Sequence, residues 1–146
     1  MSIPYLEKRR SLLAGLAVLL TIVAALFIAR RAAAVSAPEA KVSTVISKEL
    51  PNVPGKEAQI LMVEYPPGGA DPVHRHDANA FAYVLEGSVV MGVKGQPEVT
   101  LEPGQVFYEG PSDIHTVGRN ASSTKPAKFV VFLVKEKGAP VMLPAK

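Results

Sequence analysis

Short apolar runs between glycine- and proline-rich turns constrain the fold of this chain more than any other feature. From residue 42 to residue 134, runs of β-branched and aromatic residues repeat at short intervals, and turns containing glycine or proline separate them. Runs of about four to eight residues between such turns are typical of strands, and no segment of this region has the period of an amphipathic helix. The pattern predicts an all-β domain, a barrel or a sandwich.

The expected strands follow directly from these runs. They cover residues 42–46, 58–65, 81–85, 88–93, 98–101, 106–108, 115–118 and 129–134. Residues 81–85 and 88–93 flank Glu86 and Gly87. Because glycine readily adopts the positive φ that tight turns require, we expect these two runs to form a β-hairpin.

The three histidines of the chain occur in two turn-containing segments. His74 and His76 are two residues apart, so in an extended strand both rings project to the same side. His115 comes later in the chain, again after a turn with Gly, Pro, Ser and Asp. Neutral imidazoles are ligands for Zn, Fe, Cu, Ni and Mn, so the pattern predicts a divalent transition-metal site. The alternative is that these are ordinary core or surface histidines.

Two groups of residues resemble the two motifs of the cupin family: Gly68, His74, His76 and Gly87, then Gly104, Pro111 and His115. The resemblance covers residues 42–144. It implies a small jelly-roll-like antiparallel β-barrel in which His74, His76 and His115 meet in the interior as metal ligands. It also implies pairing of sheet edges between two copies, which would form a homodimer.

The chain departs from the family at the usual glutamate of the first motif, which falls on Ala80. Alanine cannot ligate a metal, so the resemblance implies a three-histidine centre, as in cupin dioxygenases of thiols and diketones. We expect Ala80 to face this centre and to leave one position to solvent or substrate. Glu109 and Asp113 flank the third histidine, and either could replace the missing ligand or accept an imidazole N–H. Asp113 could equally be a solvated turn residue.

An open three-histidine centre suits both catalysis and ligand capture. Three neutral imidazoles leave the charge of the ion uncompensated, which favours an anionic or enolate-like ligand. We therefore expect a metal-dependent oxidoreductase of the dioxygenase type, acting on a small organic acid, enol, phenol or diketone. The alternatives are a non-catalytic cupin that binds a small ligand or a metal, and a barrel that only dimerises at the membrane.

Four aromatic residues are candidates for the walls of this pocket: Phe81, Tyr83, Phe107 and Tyr108. In a strand that begins near Ala80, however, alternation places Phe81 and Tyr83 on the opposite face from Ala82. Alternation therefore leaves open that these aromatic side chains point to the outer surface.

The N-terminal segment has a different character from the rest of the chain. Residues 11–29 contain no charged residue, and basic clusters at residues 8–10 and 30–31 flank them. At about 1.5 Å per residue, such a helix just crosses a hydrocarbon core of about 30 Å. We expect residues 1–31 to form a signal or transmembrane helix, residues 32–41 a tether, and residues 42–146 the barrel. The domain is then periplasmic or extracellular, either membrane-anchored or secreted after cleavage.

The basic charge of the chain belongs to this N-terminal segment. Residues 1–37 hold five Lys or Arg against one Glu, whereas residues 38–146 hold eleven Lys or Arg against twelve Asp or Glu. The domain has no basic stripe to neutralise phosphates, so we expect no nucleic-acid partner. The chain contains no cysteine, so any metal would have His, Asp, Glu or water as ligands.

Overall fold

The structure, a computed structural model, describes residues 36–145. In this range the chain forms strands joined by turns and loops, which confirms the predicted all-β fold. The strands are β1 (Lys41–Glu49), β2 (Lys56–Tyr65), β3 (His74–Arg75), β4 (Ala78–Glu86), β5 (Val89–Val93), β6 (Val99–Leu101), β7 (Val106–Glu109), β8 (Ile114–Asn120), β9 (Ala127–Glu136) and β10 (Leu143–Pro144). The helix predicted in residues 1–31 lies outside the described residues. Residues 36–145 contain no helix with the length and apolar character that crossing a membrane requires.

The described strands form two antiparallel sheets of five strands each. One sheet has the order β1-β2-β9-β4-β7, and the other has the order β10-β3-β8-β5-β6. Inward side chains from both sheets form the main core, which includes Tyr65, Val84, Met91 and Phe129. A smaller apolar cluster is built from the first sheet: Leu61, Ala78, Ala80 and Leu133. These two sheets enclose the interior of a jelly-roll-like barrel.

Strand β4 shows the alternation that sorts side chains between the interior and the surface. Ala78, Ala80, Ala82 and Val84 are buried, whereas the five remaining residues of the strand are half-buried or exposed. The three aromatic side chains proposed as pocket walls on this sheet are exposed instead: Phe81 46%, Tyr83 44% and Tyr108 50%. The wall prediction is therefore wrong for them. Phe107 packs against the main core, and its ring stacks on His115 at a centroid distance of 6.2 Å, but it does not line the cavity beside the histidines either.

The predicted hairpin at Glu86 and Gly87 is also wrong. Strands β4 and β5 lie in different sheets, and both edges of β4 are already occupied by β7 and β9. Gly87 does adopt a positive φ of 69°. A Cβ atom there would lie 2.6 Å from the carbonyl oxygen of Pro126. The glycine therefore permits a close crossing from one sheet to the other.

Candidate metal centre

The three histidines converge in the barrel interior. His74 in β3 is the direct cross-strand partner of His115 in β8, and His76 follows β3 by one residue. All three side chains are buried. The centroid of the His74 ring lies 4.8 Å from that of His76 and 4.9 Å from that of His115. Strand alternation and β3–β8 pairing thus bring the sequence-predicted residues together. Their role as metal ligands stays a prediction.

A fourth donor comes from β7, where Glu109 is the last residue of the strand. One ligand atom from each of Glu109, His74, His76 and His115 can be chosen so that all lie within 4.8 Å of one another. Glu109 Oε2 is 3.2 Å from His115 Nδ1 and 3.9 Å from His76 Nε2. The structure therefore adds a buried carboxylate to the three histidines.

Ala80 lies on the inward side of its strand as predicted, whereas Asp113 takes the second of its two predicted roles, that of a turn residue. Ala80 faces the interior as expected, but it stands directly opposite Glu109 on the neighbouring strand, and the carboxylate belongs to that partner. Asp113 accepts a hydrogen bond from the backbone N–H of Gly110 at 2.8 Å. It therefore stabilises the turn before β8, and the acid that joins the histidines is Glu109.

Two backbone carbonyls fix the orientation of two of the rings. Nδ1 of His74 donates to the carbonyl oxygen of Pro72 at 2.8 Å, and Nδ1 of His76 donates to that of Val141 at 2.5 Å. A carbonyl only accepts hydrogen bonds, so the proton of each neutral ring is on Nδ1 and Nε2 carries a lone pair. The two Nε2 atoms are 3.1 Å apart. Two lone pairs at this distance repel each other unless a proton or a metal ion lies between them.

The remaining ring, that of His115, forms no well-aligned hydrogen bond within the described part of the chain, although Glu109 Oε2 lies 3.2 Å from its Nδ1. Both nitrogens of His115 are buried and unpaired. Buried polar atoms are normally satisfied, so an unpaired imidazole beside a carboxylate indicates a missing ligand. Donors held by one ion at about 2.0–2.2 Å lie no more than about 4.4 Å apart. The donor set fits a divalent metal after a contraction of a few tenths of an ångström.

Burial also sets the protonation of these groups. Burial lowers the pKa of His115 to about 4, and the nearby His74 adds to the effect. Burial likewise lowers the pKa of His76. Both rings are therefore neutral at pH 7, which is the form that binds metals. Burial raises the pKa of Glu109 to about 7, helped by the charges of Asp113 and Asp71, so protons compete with a metal for this carboxylate.

A cavity of about 70 Å³ adjoins the four donors and is lined mostly by apolar side chains, among them Val63, Met91 and Met142. Two polar residues on its wall were not singled out from the sequence, Tyr65 and Asp71. The hydroxyl of fully buried Tyr65 donates to Asp71 at 2.5 Å. Burial, reinforced by the Asp71 charge, raises the pKa of Tyr65 well above its usual range, so this hydroxyl stays protonated. The alternation of β2, which places Leu61, Val63 and Tyr65 on the inward side, is the sequence feature that could have identified Tyr65.

Gly118 in β8 allows this polar pair to lie beside the histidines. A Cβ atom at Gly118 would be 3.0 Å from both Cε1 of His115 and the hydroxyl oxygen of Tyr65. Such contacts are shorter than side chains normally make, so a side chain at this point would have to displace its neighbours by a few tenths of an ångström. Gly118 also fixes Asp71, whose backbone N–H donates to the Gly118 carbonyl at 2.8 Å.

The chain shares its fold with known structures and part of its sequence with one family. No curated protein matches it in sequence. Among solved structures, a DMSP lyase from Ruegeria pomeroyi DSS-3 is 19% identical, with a TM-score of 0.59 over 73% of this chain and 51% of that chain. A cupin domain from Bordetella pertussis Tohama I is 22% identical, with a TM-score of 0.54 over 68% of this chain and 97% of the other. Oxalate oxidase in complex with the substrate analogue glycolate is 20% identical, with a TM-score of 0.55 over 71% of this chain and 54% of that chain.

These likenesses establish the fold. The chain spans about half the length of the lyase and of the oxidase, and the identities are too low to carry an activity across. The cupin domain profile matches residues 61–133, which is half of the sequence and includes His74, His76, Glu109 and His115. Together with the two-sheet barrel, this match shows that the chain is a small protein of the cupin family.

Proposed function

We propose that His74, His76, His115 and Glu109 hold one divalent transition metal. The observation that carries the proposal is the 3.1 Å separation of the His74 and His76 Nε2 atoms, both of which are acceptors because their Nδ1–H groups are committed to carbonyls. Fe, Mn, Zn, Cu and Ni all accept such a donor set, so the identity of the ion depends on supply. When bound, such a metal supplies Lewis-acid polarisation and, for Fe, Mn or Cu, one-electron chemistry.

The charge of the site favours a small anionic substrate. Three neutral imidazoles and one carboxylate balance only one of the two positive charges of a divalent ion, so the ion attracts an anionic oxygen ligand, although the Asp71 carboxylate on the cavity wall reduces this attraction. The apolar walls of the cavity exclude water and strengthen this attraction. The Tyr65 hydroxyl also lies on the wall of this cavity, but its proton is donated to Asp71, so it offers a substrate only an acceptor oxygen. The substrate class is a small organic acid, enol, phenol or diketone.

The proposed activity is that of a metal-dependent oxidoreductase of the dioxygenase type. The fold neighbours include an oxalate oxidase and a DMSP lyase, so this barrel supports more than one reaction on small molecules. A second candidate is a non-catalytic module that captures a metal or a small ligand. The small cavity favours this candidate, because about 70 Å³ leaves little room beside a metal for two reactants.

The location of the domain is part of the proposal. The uncharged run at residues 11–29, with its larger basic cluster on the N-terminal side, supports a domain outside the cytoplasm. The domain is then membrane-anchored through residues 1–31, or released when the tether at residues 32–41 is cleaved. A reporter fused after Lys146 tests this location. Activity of a reporter that works only in the cytoplasm contradicts it.

Elemental analysis of the purified full chain tests the metal proposal. We expect about one transition-metal ion per chain, either as isolated or after loading with Fe, Mn, Zn, Cu or Ni in turn. Oxygen consumption with a panel of small carboxylates, phenols and diketones then separates the two candidates. Turnover identifies an enzyme, and ligand binding without turnover identifies a binding module. Failure to retain any of these ions contradicts the metal site and the enzyme, and leaves only a module that binds a small ligand without a metal.

A further inference from the structure

Residues 137–145, which follow β9, fold back to the metal centre, and we name this segment the strap. Its short strand β10 pairs with β3, with Leu143 opposite Arg75 and Pro144 opposite His74. The carbonyl oxygen of Val141 in the strap accepts the Nδ1–H of His76 at 2.5 Å. Val141 and Met142 also line the cavity. The strap thus supplies both a wall and the acceptor that orients one candidate ligand.

A buried lysine lies where the strap begins. The inward side of β9 carries Phe129 and Leu133, both buried and apolar, and the next buried residue on that side is Lys135, which is only 3% exposed. Burying an ammonium group is costly unless its donors are satisfied. The Lys135 ammonium contacts the Glu57 carboxylate and donates to the carbonyl oxygen of Ala139 at 2.6 Å.

Glu57, on strand β2, contacts the same turn of the strap. Its carboxylate accepts the backbone N–H of Gly138 at 3.3 Å, while Lys135 holds the carbonyl of the following residue, Ala139. The Lys135–Glu57 pair therefore forms hydrogen bonds to two consecutive residues of the strap, Gly138 and Ala139. The held carbonyl of Ala139 is two residues before Val141, whose own carbonyl contacts His76.

We propose that Lys135 is a positioning residue that orients His76 through the strap. The inference rests on the proposed metal site, because its consequence is the state of a metal ligand. His74 takes its Nδ1 acceptor from Pro72, only two residues away, whereas His76 depends on Val141, which is 65 residues away. A shift of the strap by about 1 Å takes the Val141 carbonyl out of hydrogen-bonding range. His76 is then free to adopt the tautomer with its proton on Nε2, which cannot bind a metal through that atom.

The neighbouring ion pair offers a matched control. Lys56 and Glu136 pair between the same two strands, one residue along from Glu57 and Lys135, with the charges exchanged. This pair is more exposed than the Lys135–Glu57 pair, at 38% for the Lys56 side chain and 62% for that of Glu136. Lys56→Met and Lys135→Met therefore remove the same charge from the same pair of strands, and only Lys135→Met releases the strap carbonyl.

The test uses the full chain with ¹⁵N-labelled histidine, purified in detergent, and Zn²⁺ as the probe. The chain has three histidines, so three imidazoles are observed. In the metal-free chain we expect His76 to show a single tautomer with the proton on Nδ1. In Lys135→Met we expect a mixture of tautomers at His76 and about tenfold weaker Zn²⁺ binding. Lys56→Met should match the unmodified chain in both measurements.

Two further outcomes keep the inference separate from the proposed metal site. If the unmodified chain binds no Zn²⁺, the proposed function fails, while the His76 tautomer of the metal-free chain still decides the role of Lys135. An unchanged tautomer and an unchanged affinity in Lys135→Met overturn the inference. If Lys135→Met does not fold, the double variant Glu57→Gln/Lys135→Met replaces it, since it also releases the Ala139 carbonyl and leaves no unpaired buried carboxylate. Loss of the Nδ1–H tautomer at His76 in that variant supports the inference, and retention of this tautomer overturns it.

Discussion

Ala80 and Glu109 stand directly opposite each other on β4 and β7, and both face the barrel interior. The carboxylate that the first cupin motif lacks is thus supplied by the adjacent strand, at the same level of the barrel. Because alanine has no side chain beyond Cβ, it leaves the space into which the Glu109 side chain extends. The two positions behave as one unit, in which one residue carries the carboxylate and the other stays small.

Exchanging these two residues tests that unit. We expect Glu109→Ala to weaken Zn²⁺ binding at least tenfold, because the site loses its anionic ligand. The double variant Ala80→Glu/Glu109→Ala should recover most of the affinity, since it returns the carboxylate to the same level of the barrel from the other strand. Competition with a chelator measures both affinities. An affinity in Glu109→Ala equal to that of the unmodified chain would remove Glu109 from the ligand set.

The raised pKa of Glu109 predicts how the stability of the metal-free protein depends on pH. Between its ordinary value of 4.5 and the folded value of about 7, the folded state holds a proton that the unfolded chain has released. The Glu109 contribution to stability therefore falls as pH rises through this window. Glu109→Gln removes the effect, so it should be stabilising at pH 8 by on the order of 3 kcal/mol and nearly neutral at pH 4. Urea unfolding at both pH values measures the difference, and equal effects at both would contradict the prediction.

The lowered pKa of His115 acts in the opposite direction. Between its ordinary value of 6.5 and the folded value of about 4, the unfolded chain takes up a proton that the folded state does not. Stability contributed by the neutral ring is complete above pH 6.5 and is lost as pH falls toward 4. In the metal-free His115→Gln variant, we expect a smaller loss of thermal stability between pH 7 and pH 4. A steeper loss than in the unmodified chain would count against a buried neutral ring.

Gly118 offers a test of the packing around the site. Gly118→Ala adds a Cβ atom 3.0 Å from both His115 and Tyr65, which forces these side chains apart by a few tenths of an ångström. We expect a loss of stability of about 1–3 kcal/mol and weaker Zn²⁺ binding. Gly110→Ala is the control, because its Cβ atom would make no contact closer than 3.4 Å. Equal behaviour of the two variants in thermal unfolding and zinc titration would argue against tight packing at Gly118.

Metal binding should stabilise the fold directly. Zinc at about one hundred times its dissociation constant should add roughly 2.7 kcal/mol to the free energy of unfolding, because the unfolded chain lacks the assembled donors. His74→Ala, His76→Ala and His115→Ala should each lose most of this gain, since the three rings converge on one point. Thermal melts with zinc and with a chelator measure it. A gain that survives all three substitutions would place the zinc elsewhere.

Local patterns accounted for much of the fold and for part of the site. Gly/Pro turns and β-branched runs located the strands, and strand alternation left open the outward orientation that Phe81 and Tyr83 have in the structure. The spacing of His74 and His76 placed both rings in the interior. The hairpin at Gly87 failed because a positive-φ glycine permits a crossing between sheets as well as a turn within one.

The contacts that the sequence did not reveal join distant parts of the chain. Glu109 was one of two candidate acids, and its pairing with Ala80 chose between them. Nothing in the sequence identified the Val141 carbonyl as an acceptor, because every residue has a backbone carbonyl. Only the path of the strap brings this one to His76. In the sequence, Lys135 likewise looks like an ordinary exposed lysine near the end of a strand. Its burial becomes visible only when β2, β9 and the strap are assembled.

The separation of 65 residues between His76 and its acceptor also orders events in time. A ribosome makes the chain from its N-terminus at about 5–20 residues per second, so His76 precedes Val141 by several seconds. Barrels built from such distant pairings close slowly, on a scale of milliseconds to seconds. A nascent chain therefore carries His76 without a fixed tautomer until the strap has been synthesised and has docked. At the proposed site, tight metal capture therefore belongs to the finished barrel and follows folding.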